Sequence, residues 1–297
     1  MNKVLKIAKN PYILFVYLNK IFNFKNISDK KYISLIYRAI FNKKINLDKP
    51  TTFNEKLQYL KLNDRKEYYS NMVDKYEAKN YVANIIGEEY IIPTIGLYDN
   101  FEEIDFDSLP NQFVIKCTHD SGSIVICKNK KIFDIKKARK KINKALKNNY
   151  YYVSREWPYK NVKPRIIIEK YMKNESDDVL KDYKFMCFNG KVKCSFVCSD
   201  RGRKDGLKID FYDLDWKKMP FKRHYPNSNN EIPKPKNYEK MIELAEKLSA
   251  NIPFIRVDFY EIKEKIYFGE LTFYPGGGYE EFEPEEYDKI LGEWIEL

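Results

Sequence analysis

Apolar positions change their period along the chain, and the elements follow from that change. Residues 1–48 read as helical, with breaks near Pro11 and around Asn26–Asp29. Pro50-Thr51-Thr52 signals a helix start. Thr52 followed three residues later by Glu55 fits a capping box, in which each side chain satisfies an amide of the other. That helix runs through Phe53, Leu57 and Leu60. A further helix is expected from Lys66 to Ile86, stopping at Gly87.

Beyond Gly87 short apolar runs replace the helical pattern. They predict strands over Ile95–Tyr98, Gln112–Cys117, Ser123–Lys128 and Arg165–Tyr171. One helix interrupts them over 134–148, with Ile135, Ala138, Ile142 and Leu146 at three- to four-residue spacing. Tyr183–Phe188 and Lys191–Cys198 meet at Asn189-Gly190, a strong hairpin signal. Residues 200–236 are polar and rich in Lys, Asn and Pro, and read as a long, partly ordered insert that ends at Pro233 and Pro235. A helix over Tyr238–Ala250 and a hairpin of Phe254–Tyr260 with Lys265–Phe273 complete the pattern. Helices, then a mixed region, then antiparallel hairpins predict an α+β fold, without internal repeats.

Composition adds little to this for the core and more for the termini. The 297 residues suit two or three small subdomains, and 16% aromatics supply ample surface to bury. The formal charge is +11, but residues 1–50 hold eleven basic and two acidic side chains, while Tyr279–Leu297 has eight acids and one base. Charge of this kind points to nucleic acid or an anionic surface. No zinc-finger spacing or RNP-like aromatic stretch accompanies it, so nucleic acid is not expected as a partner. Lys3, Lys6 and Lys9 precede the apolar run Tyr12–Leu18, but Asn19 and Lys20 follow with no cleavage-site pattern. The run is also shorter than the roughly 18–20 residues a span requires. It reads as a basic, apolar helix that either packs on the body or rests on anionic lipid. The cysteines, Cys117, Cys127, Cys187, Cys194 and Cys198, are odd in number, contain no CxxC and sit in strand-like text. They read as small buried hydrophobes in a reducing cytosol.

The candidate chemistry begins in the last hairpin. In FIRVDFY the apolar Ile255, Val257 and Phe259 alternate with Arg256, Asp258 and Tyr260; Glu270 and Thr272 share a face of the partner strand. Asp258 and Glu270 face one cavity only when paired residue numbers sum to an even number. A five-residue loop, Glu261–Lys265, satisfies this, sets Arg256 opposite Glu270, and leaves the two acids as diagonal neighbours about 7–8 Å apart. Two readings stay open: a divalent-cation site, or a solvated strand face with an Arg256–Glu270 pair. Lys116 lies within the apolar strand FVIKC, a costly place unless an anion meets it. His119–Ser123 forms a small polar loop whose amides could cradle phosphate, and IIIEKYM ends a buried strand on Glu169. His119 and His224 read as loop histidines, and Trp157 and Trp216 as packing residues.

In combination these motifs resemble the ATP-grasp enzymes, and most closely the TupA-like ATP-grasp group. The similarity is carried by FNEKLQYLKLNDR, MVDKY, CTHDSGS, IIIEKY, DYKFMCFNGKV and RVDFYEIKEKIYFGELTFYPGGG, across about residues 40–290. It implies an ATP-grasp fold, two α+β subdomains gripping the nucleotide, with a helical N-terminal extension. The boundaries implied are 1–65 for the helical region, 66–110 for an N-terminal α/β part, 111–172 for the small subdomain with the phosphate loop, and 173–297 for the C-terminal subdomain with the metal site. ATP and Mg2+ are the implied cofactors. Lys75 and Lys116 would be the nucleotide lysines, and Ser121, Gly122 and Ser123 the loop over the phosphates. Glu169, Lys170, Tyr171 and Met172 would form the adenine hinge. Lys184 would lie near phosphate, Arg256 would face the transferred phosphoryl group or the acceptor, and Asp258, Glu270 and Thr272 would hold the metal. Thr272 departs from the group's pattern, which has Asn there. The Pro275–Gly278 loop would lie by the acceptor.

The resemblance further implies a carboxylate–amine ligase working through an acyl phosphate in cell-surface polymer synthesis. Its partners would be a carboxylated or hydroxylated glycan or polymer precursor and an amine, in the cytoplasm or peripherally at the inner face of the membrane through residues 1–50. A glycosyltransferase, with Asp105-Phe-Asp107 or Asp213-Leu-Asp215 as a DxD string, and a kinase acting on a sugar hydroxyl are the alternative expectations, beside a non-catalytic assembly protein.

Overall fold

The computed structural model describes residues 10–22, 24–173, 180–199 and 206–297. The first helix, α1 (Tyr12–Phe22), lies on α2 (Asp29–Phe41). Phe15 meets Tyr32 edge-on at 5.8 Å between centroids, and Asn19 donates to the Tyr32 hydroxyl at 2.9 Å. Of the two settings expected for this apolar helix, packing on the body is found for Tyr12–Phe22; Lys3, Lys6 and Lys9 lie outside the described residues. α3 (Phe53–Asn63) opens on the expected capping box: Glu55 N donates to the Thr52 hydroxyl at 3.2 Å, and Thr52 N to the Glu55 carboxylate at 3.4 Å.

The helix expected over Lys66–Ile86 is two helices, α4 (Tyr69–Val73) and α5 (Glu77–Ile86). Asp74 leaves the helical region at φ −67°, ψ 120°, and its carboxylate accepts from the amides of Tyr76 at 2.8 Å and Glu77 at 3.1 Å. A short acidic side chain offers the backbone this alternative to the i−4 bond, so the helix stops and restarts. Gly87, at φ +115°, ends α5 as expected.

A four-stranded sheet follows, built from β1 (Thr94–Tyr98), β2 (Phe113–Cys117), β3 (Val125–Cys127) and β4 (Ile166–Lys170) in the order β1-β4-β2-β3, all antiparallel. One face, through Phe113, Ile115 and Cys117, buries against Ala138 and Ile142 of α6 (Ile135–Leu146). By alternation, Val114 and Lys116 occupy the opposite face. The short α7 (Tyr151–Ser154) then leads back toward the N-terminal helices: the Tyr32 hydroxyl donates to Val153 O at 2.9 Å, and Tyr151 to Asp29 at 2.5 Å.

The larger sheet has five antiparallel strands in the order β10-β9-β5-β6-β7: β5 (Asp182–Phe188), β6 (Lys191–Ser199), β7 (Lys208–Tyr212), β9 (Phe254–Ile262) and β10 (Lys265–Thr272). α8 (Tyr238–Leu248) buries Tyr238, Met241, Leu244, Ala245 and Leu248 against it. The two-residue β8 (Lys222–Arg223) pairs with β11 (Phe282–Glu283), and α9 (Glu286–Glu293) ends the fold.

The segment read as a long, partly ordered insert, 200–236, contributes a strand to the sheet in its described part, 206–236. β7 extends the sheet, Phe211 and Phe221 are buried, and Lys218 pairs at 2.6 Å with a fully buried Asp210. The polar average of the segment concealed the alternation of Ile209 and Phe211 with Lys208 and Asp210. Residues 66–110 divide as well. Tyr69, Met72, Val73, Ala78 and Val82 join the core of the large sheet, whereas Phe101, Ile104 and Leu109 join that of the small one. No disulfide joins any of the five cysteines among the described residues. No helix among the described residues is long and apolar enough to cross a membrane.

Candidate nucleotide and metal site

The hairpin β9–β10 turns on Lys263 and Glu264, both at positive φ (51° and 62°). This is a two-residue connection rather than the five-residue loop expected. It pairs Lys265 with Ile262 and Phe268 with Phe259, an odd register that would place Asp258 against Gly269 and turn Glu270 to the other face. A β-bulge between Phe268 and Glu270 inserts one residue and restores the even register, so Glu270 pairs directly with Asp258 and Thr272 with Arg256. The required parity is therefore met by a different device. A Cβ on Gly269 would stand 3.1 Å from the carbonyl oxygen of Asp258, so glycine lets the bulged strand approach.

Around this pair the charges form one network. Arg256 donates through Nε to Asp258 Oδ1 and through Nη2 to Asp258 Oδ2, both at 2.7 Å, and through Nη2 to Glu270 Oε1 at 2.7 Å. Lys184, directly across from Asp258 on β5, pairs with Asp258 and, at 2.6 Å, with Asp182. Asp258 is 1% exposed; burial raises its carboxyl above the usual range, and Arg256 and Lys184 offset only part of that cost. Glu270 is different. Its side chain is 47% exposed. Burial opposes its charge too, but Arg256, Lys184 and Lys75 outweigh it and hold the carboxyl down at about 2. Oε1 carries Arg256 and the Thr272 hydroxyl, the latter at 3.2 Å. These contacts fall on Oε1, and no hydrogen bond or ion pair to Oε2 is made among the described residues.

The small sheet presents the opposite charge balance. On its free face Lys116 meets Glu169 at 2.6 Å, and Lys79 of α5 pairs with the other oxygen of Glu169. Lys79 is also held by Ile92 O and the Thr94 hydroxyl, each at 2.8 Å. The carboxylate of Glu169 is buried and held below the usual range: burial would raise it, and the two lysines reverse the sign. Lys170, Tyr171 and Met172 continue from the end of β4; Lys170 is exposed and its amide donates to Pro93 O at 3.0 Å.

The loop between β2 and β3 is closed by Ser123, whose hydroxyl accepts from Cys117 N at 2.9 Å and donates to Asp120 at 2.6 Å. Ser123 is thus spent inside the loop. Ser121 and Gly122 are exposed, and Gly122, at φ +98°, has open space where a Cβ would stand. His119 anchors the base of the loop on α6, its Nε2 3.1 Å from Asn148 O and 3.3 Å from Ala145 O. Lys75 sits in the gap between α4 and α5. Its amide donates to Thr118 O at 3.0 Å and its ammonium to Asp120 O. Burial lowers its pKa against the pull of Glu270 and Asp120.

Sequence reasoning missed Lys79, Asp120, Asp182 and a buried pair beneath the glycine loop. Lys61, 0% exposed, donates to Ser154 O at 2.8 Å and to Gly277 O at 2.5 Å. Burial pushes its ammonium down to about 7, countered by the buried Glu156, whose own carboxyl burial raises. Gln58 donates to Gly278 O at 2.7 Å and Gly277 O at 3.0 Å. Gly276, Gly277 and Gly278 lie at φ +60°, +64° and +67°, and a Cβ on Gly278 would stand 2.6 Å from Gln58 Nε2. Lys79 was readable as one turn beyond Lys75, and Asp182 by sharing strand parity with Lys184. Nothing local signals Lys61 or Glu156.

Among the described residues no cluster of three or more His, Cys, Asp or Glu side chains stands ready as an all-protein metal cage. The donor set still suits magnesium, which is commonly held by one or two carboxylates with phosphate and water completing the shell. The DxD strings have structural work instead: Asp105 accepts from Asp107 N at 3.0 Å, and Asp213 from Asp215 N and Lys217 N, so both shape turns.

One antiparallel sheet carries the loop closed by Ser123 and the Lys79–Lys116–Glu169 cluster, and a second carries Lys184, Arg256, Asp258 and Glu270, within an α+β fold. The chain belongs to the TupA-like ATPgrasp family, which matches residues 55–296. No curated protein matches it in sequence. Among solved structures it is similar to D-alanine–D-alanine ligase from Bacillus anthracis complexed with ATP, at 15% identity and TM-score 0.39, over 68% of this chain and 55% of that one. D-alanyl-alanine synthetase A from Vibrio cholerae is 13% identical at TM-score 0.43, over 77% and 62%. The biotin carboxylase domain of 2-oxoglutarate carboxylase from Hydrogenobacter thermophilus, with MgADP, is 17% identical at TM-score 0.42, over 68% and 40%. The chain thus spans less than two thirds of the length of each, and these similarities do not bear on its substrate.

Proposed function

We propose that the protein is an ATP- and magnesium-dependent ligase that joins a carboxylate to an amine through an acyl phosphate. The observation that carries this reading is the opposition of charge across the site. Two lysines on one carboxylate at the small sheet leave positive charge for phosphate, and the half-exposed Glu270 beside Asp258 leaves negative charge for a metal. A magnesium nucleotide satisfies both at once.

In this reading Lys75 and Lys116 bind phosphate oxygens, and the Ser121–Gly122 amides close over them. The hinge offers the backbone of Lys170–Met172 to adenine, because the Glu169 side chain is engaged by lysines. Asp258 and Glu270 hold the metal, which when bound neutralises charge on the β- and γ-phosphates. Thr272 contributes by orienting Glu270 through its hydroxyl. Arg256 and Lys184 stabilise charge on the phosphoryl group in flight. A carboxylate oxygen of the acceptor attacks the γ-phosphorus and ADP leaves. The amine then attacks the acyl carbon, phosphate leaves, and the amine proton passes to solvent or base. The glycine loop, held from below by Gln58 and Lys61, borders the acceptor.

The resemblance to the TupA-like group supports a carboxylated sugar or polymer precursor as acceptor, on the cytoplasmic side of the membrane. The test is ADP release with magnesium and paired acids and amines, with products weighed by mass spectrometry. A product condensed by loss of water, with free phosphate, is expected. Phosphate retained on a hydroxyl makes the protein a kinase, and full activity in Asp258→Asn with Glu270→Gln overturns the site.

A further inference from the structure

The charge of the molecule is distributed unevenly, and one exposed face concentrates it. Residues 1–50 carry eleven basic and two acidic side chains, and residues 128–147 carry ten and one. These two stretches hold +18, so the rest of the chain holds −7 of the +11 total. The second stretch is the 3-10 turn Lys130–Ile132 followed by α6. Ala138 and Ile142 face the small sheet, whereas Lys136, Lys137, Lys140 and Lys144 are exposed on the outer side. Among the described residues no carboxylate pairs with any of these four lysines. A solvated helix face ordinarily interleaves both signs, because like charges at i,i+4 repel. Here Lys136–Lys140 and Lys140–Lys144 are both like-charged i,i+4 pairs, a standing cost that an anionic partner would remove.

The turn adds a second feature. Ile132 is 83% exposed and follows Lys130 and Lys131, with Lys128 just before. An isoleucine raised among lysines adds nothing to solubility, but it suits insertion between headgroups, where cations bind anionic lipid and an apolar tip enters the acyl boundary. The face also lies away from the nucleotide. α6 covers the Phe113–Ile115–Cys117 side of the small sheet, and Lys116 and Glu169 occupy the other. A bilayer against α6 therefore leaves the cleft open. After α6 the chain runs into α7, which packs on the N-terminal helices, with Lys25 over the Tyr152 ring at 5.1 Å and the Tyr32 hydroxyl on Val153 O.

We propose that the outer face of α6, with the Lys130–Ile132 turn, is a docking surface for an anionic lipid bilayer, with Ile132 as the inserted tip. The exposed isoleucine favours lipid over a soluble polyanion, which has no apolar phase to offer. The inference does not depend on the ligase reading, since vesicle binding is measured without nucleotide.

The test is co-sedimentation of the full chain with vesicles of phosphatidylcholine alone or mixed with phosphatidylglycerol. Binding is expected only with phosphatidylglycerol. The charge-reversal variant Lys136→Glu, Lys137→Glu, Lys140→Glu, Lys144→Glu, with an unchanged melting temperature, should bind at least about a hundredfold more weakly. Ile132→Ser should weaken binding several-fold and make the remainder fully salt-sensitive. Three outcomes overturn the proposal: equal binding by the four-lysine variant, loss confined to Lys3→Glu with Lys6→Glu and Lys9→Glu, or soluble polyphosphate competing completely while Ile132→Ser binds like the parent.

Discussion

The two charge clusters of the site are built with opposite surpluses. On the small sheet Lys79 and Lys116 share one carboxylate, Glu169. On the large sheet Arg256 and Lys184 meet three carboxylates, Asp182, Asp258 and Glu270. The first cluster is one positive charge in excess and the second one negative charge in excess. Each is stable while folded, because every buried charge has a partner. Each also keeps a partly exposed member, Lys116 and Glu270, through which the surplus can be discharged by a ligand. A binding site can therefore be pre-assembled from ion pairs, provided that the two halves are unbalanced in opposite directions.

The comparison breaks most severely at the large sheet. Glu270→Gln is expected to lower ADP release on the order of a hundred- to a thousandfold, with little change in melting temperature because the side chain is half exposed. Asp258→Asn should match that loss and also cost about 3–5 kcal/mol of stability, since Arg256 and Lys184 would be left buried without their shared anion; urea denaturation separates the two variants. At the small sheet Lys116→Met should weaken ATP binding roughly tenfold to a hundredfold by calorimetry, the worth of one charge-assisted contact.

A smaller effect tests the bulge. Gly269→Val should cost about 1–3 kcal/mol by thermal unfolding, because its side chain would press on the Asp258 backbone. The smallest concerns pH. Folded Lys61 loses its proton near 7, whereas an unfolded lysine keeps it until the ordinary range near 10.5. Between those values the unfolded state binds more protons, so this group makes stability rise with pH across the interval. Lys61→Met should flatten that slope, as read from urea midpoints.

Local text made much of the fold legible. The Thr52–Glu55 box, the Asn189-Gly190 hairpin and the stop at Gly87 rest on the preferences of single residues or adjacent pairs, and each stands where it was expected. The break at Asp74 was hidden because the apolar spacing continues through it, and only the capping carboxylate, held by Arg165 at 3.1 Å, ends the helix. The strand Lys208–Tyr212 was hidden because a polar average masks a short alternating run whose partner, β6, decides its fate.

The same division holds at the hairpin. From the sequence alone it follows that Asp258 and Glu270 can meet only in an even register, because side chains alternate strictly along a strand. How that register is reached was decided in three dimensions: a two-residue turn gives the odd pairing, and a bulge at a glycine packed against Asp258 corrects it. Lys61 and Glu156 belong wholly to the tertiary structure. Their positions are far apart in the chain, no periodicity links them, and burial beside the glycine loop sets their protonation.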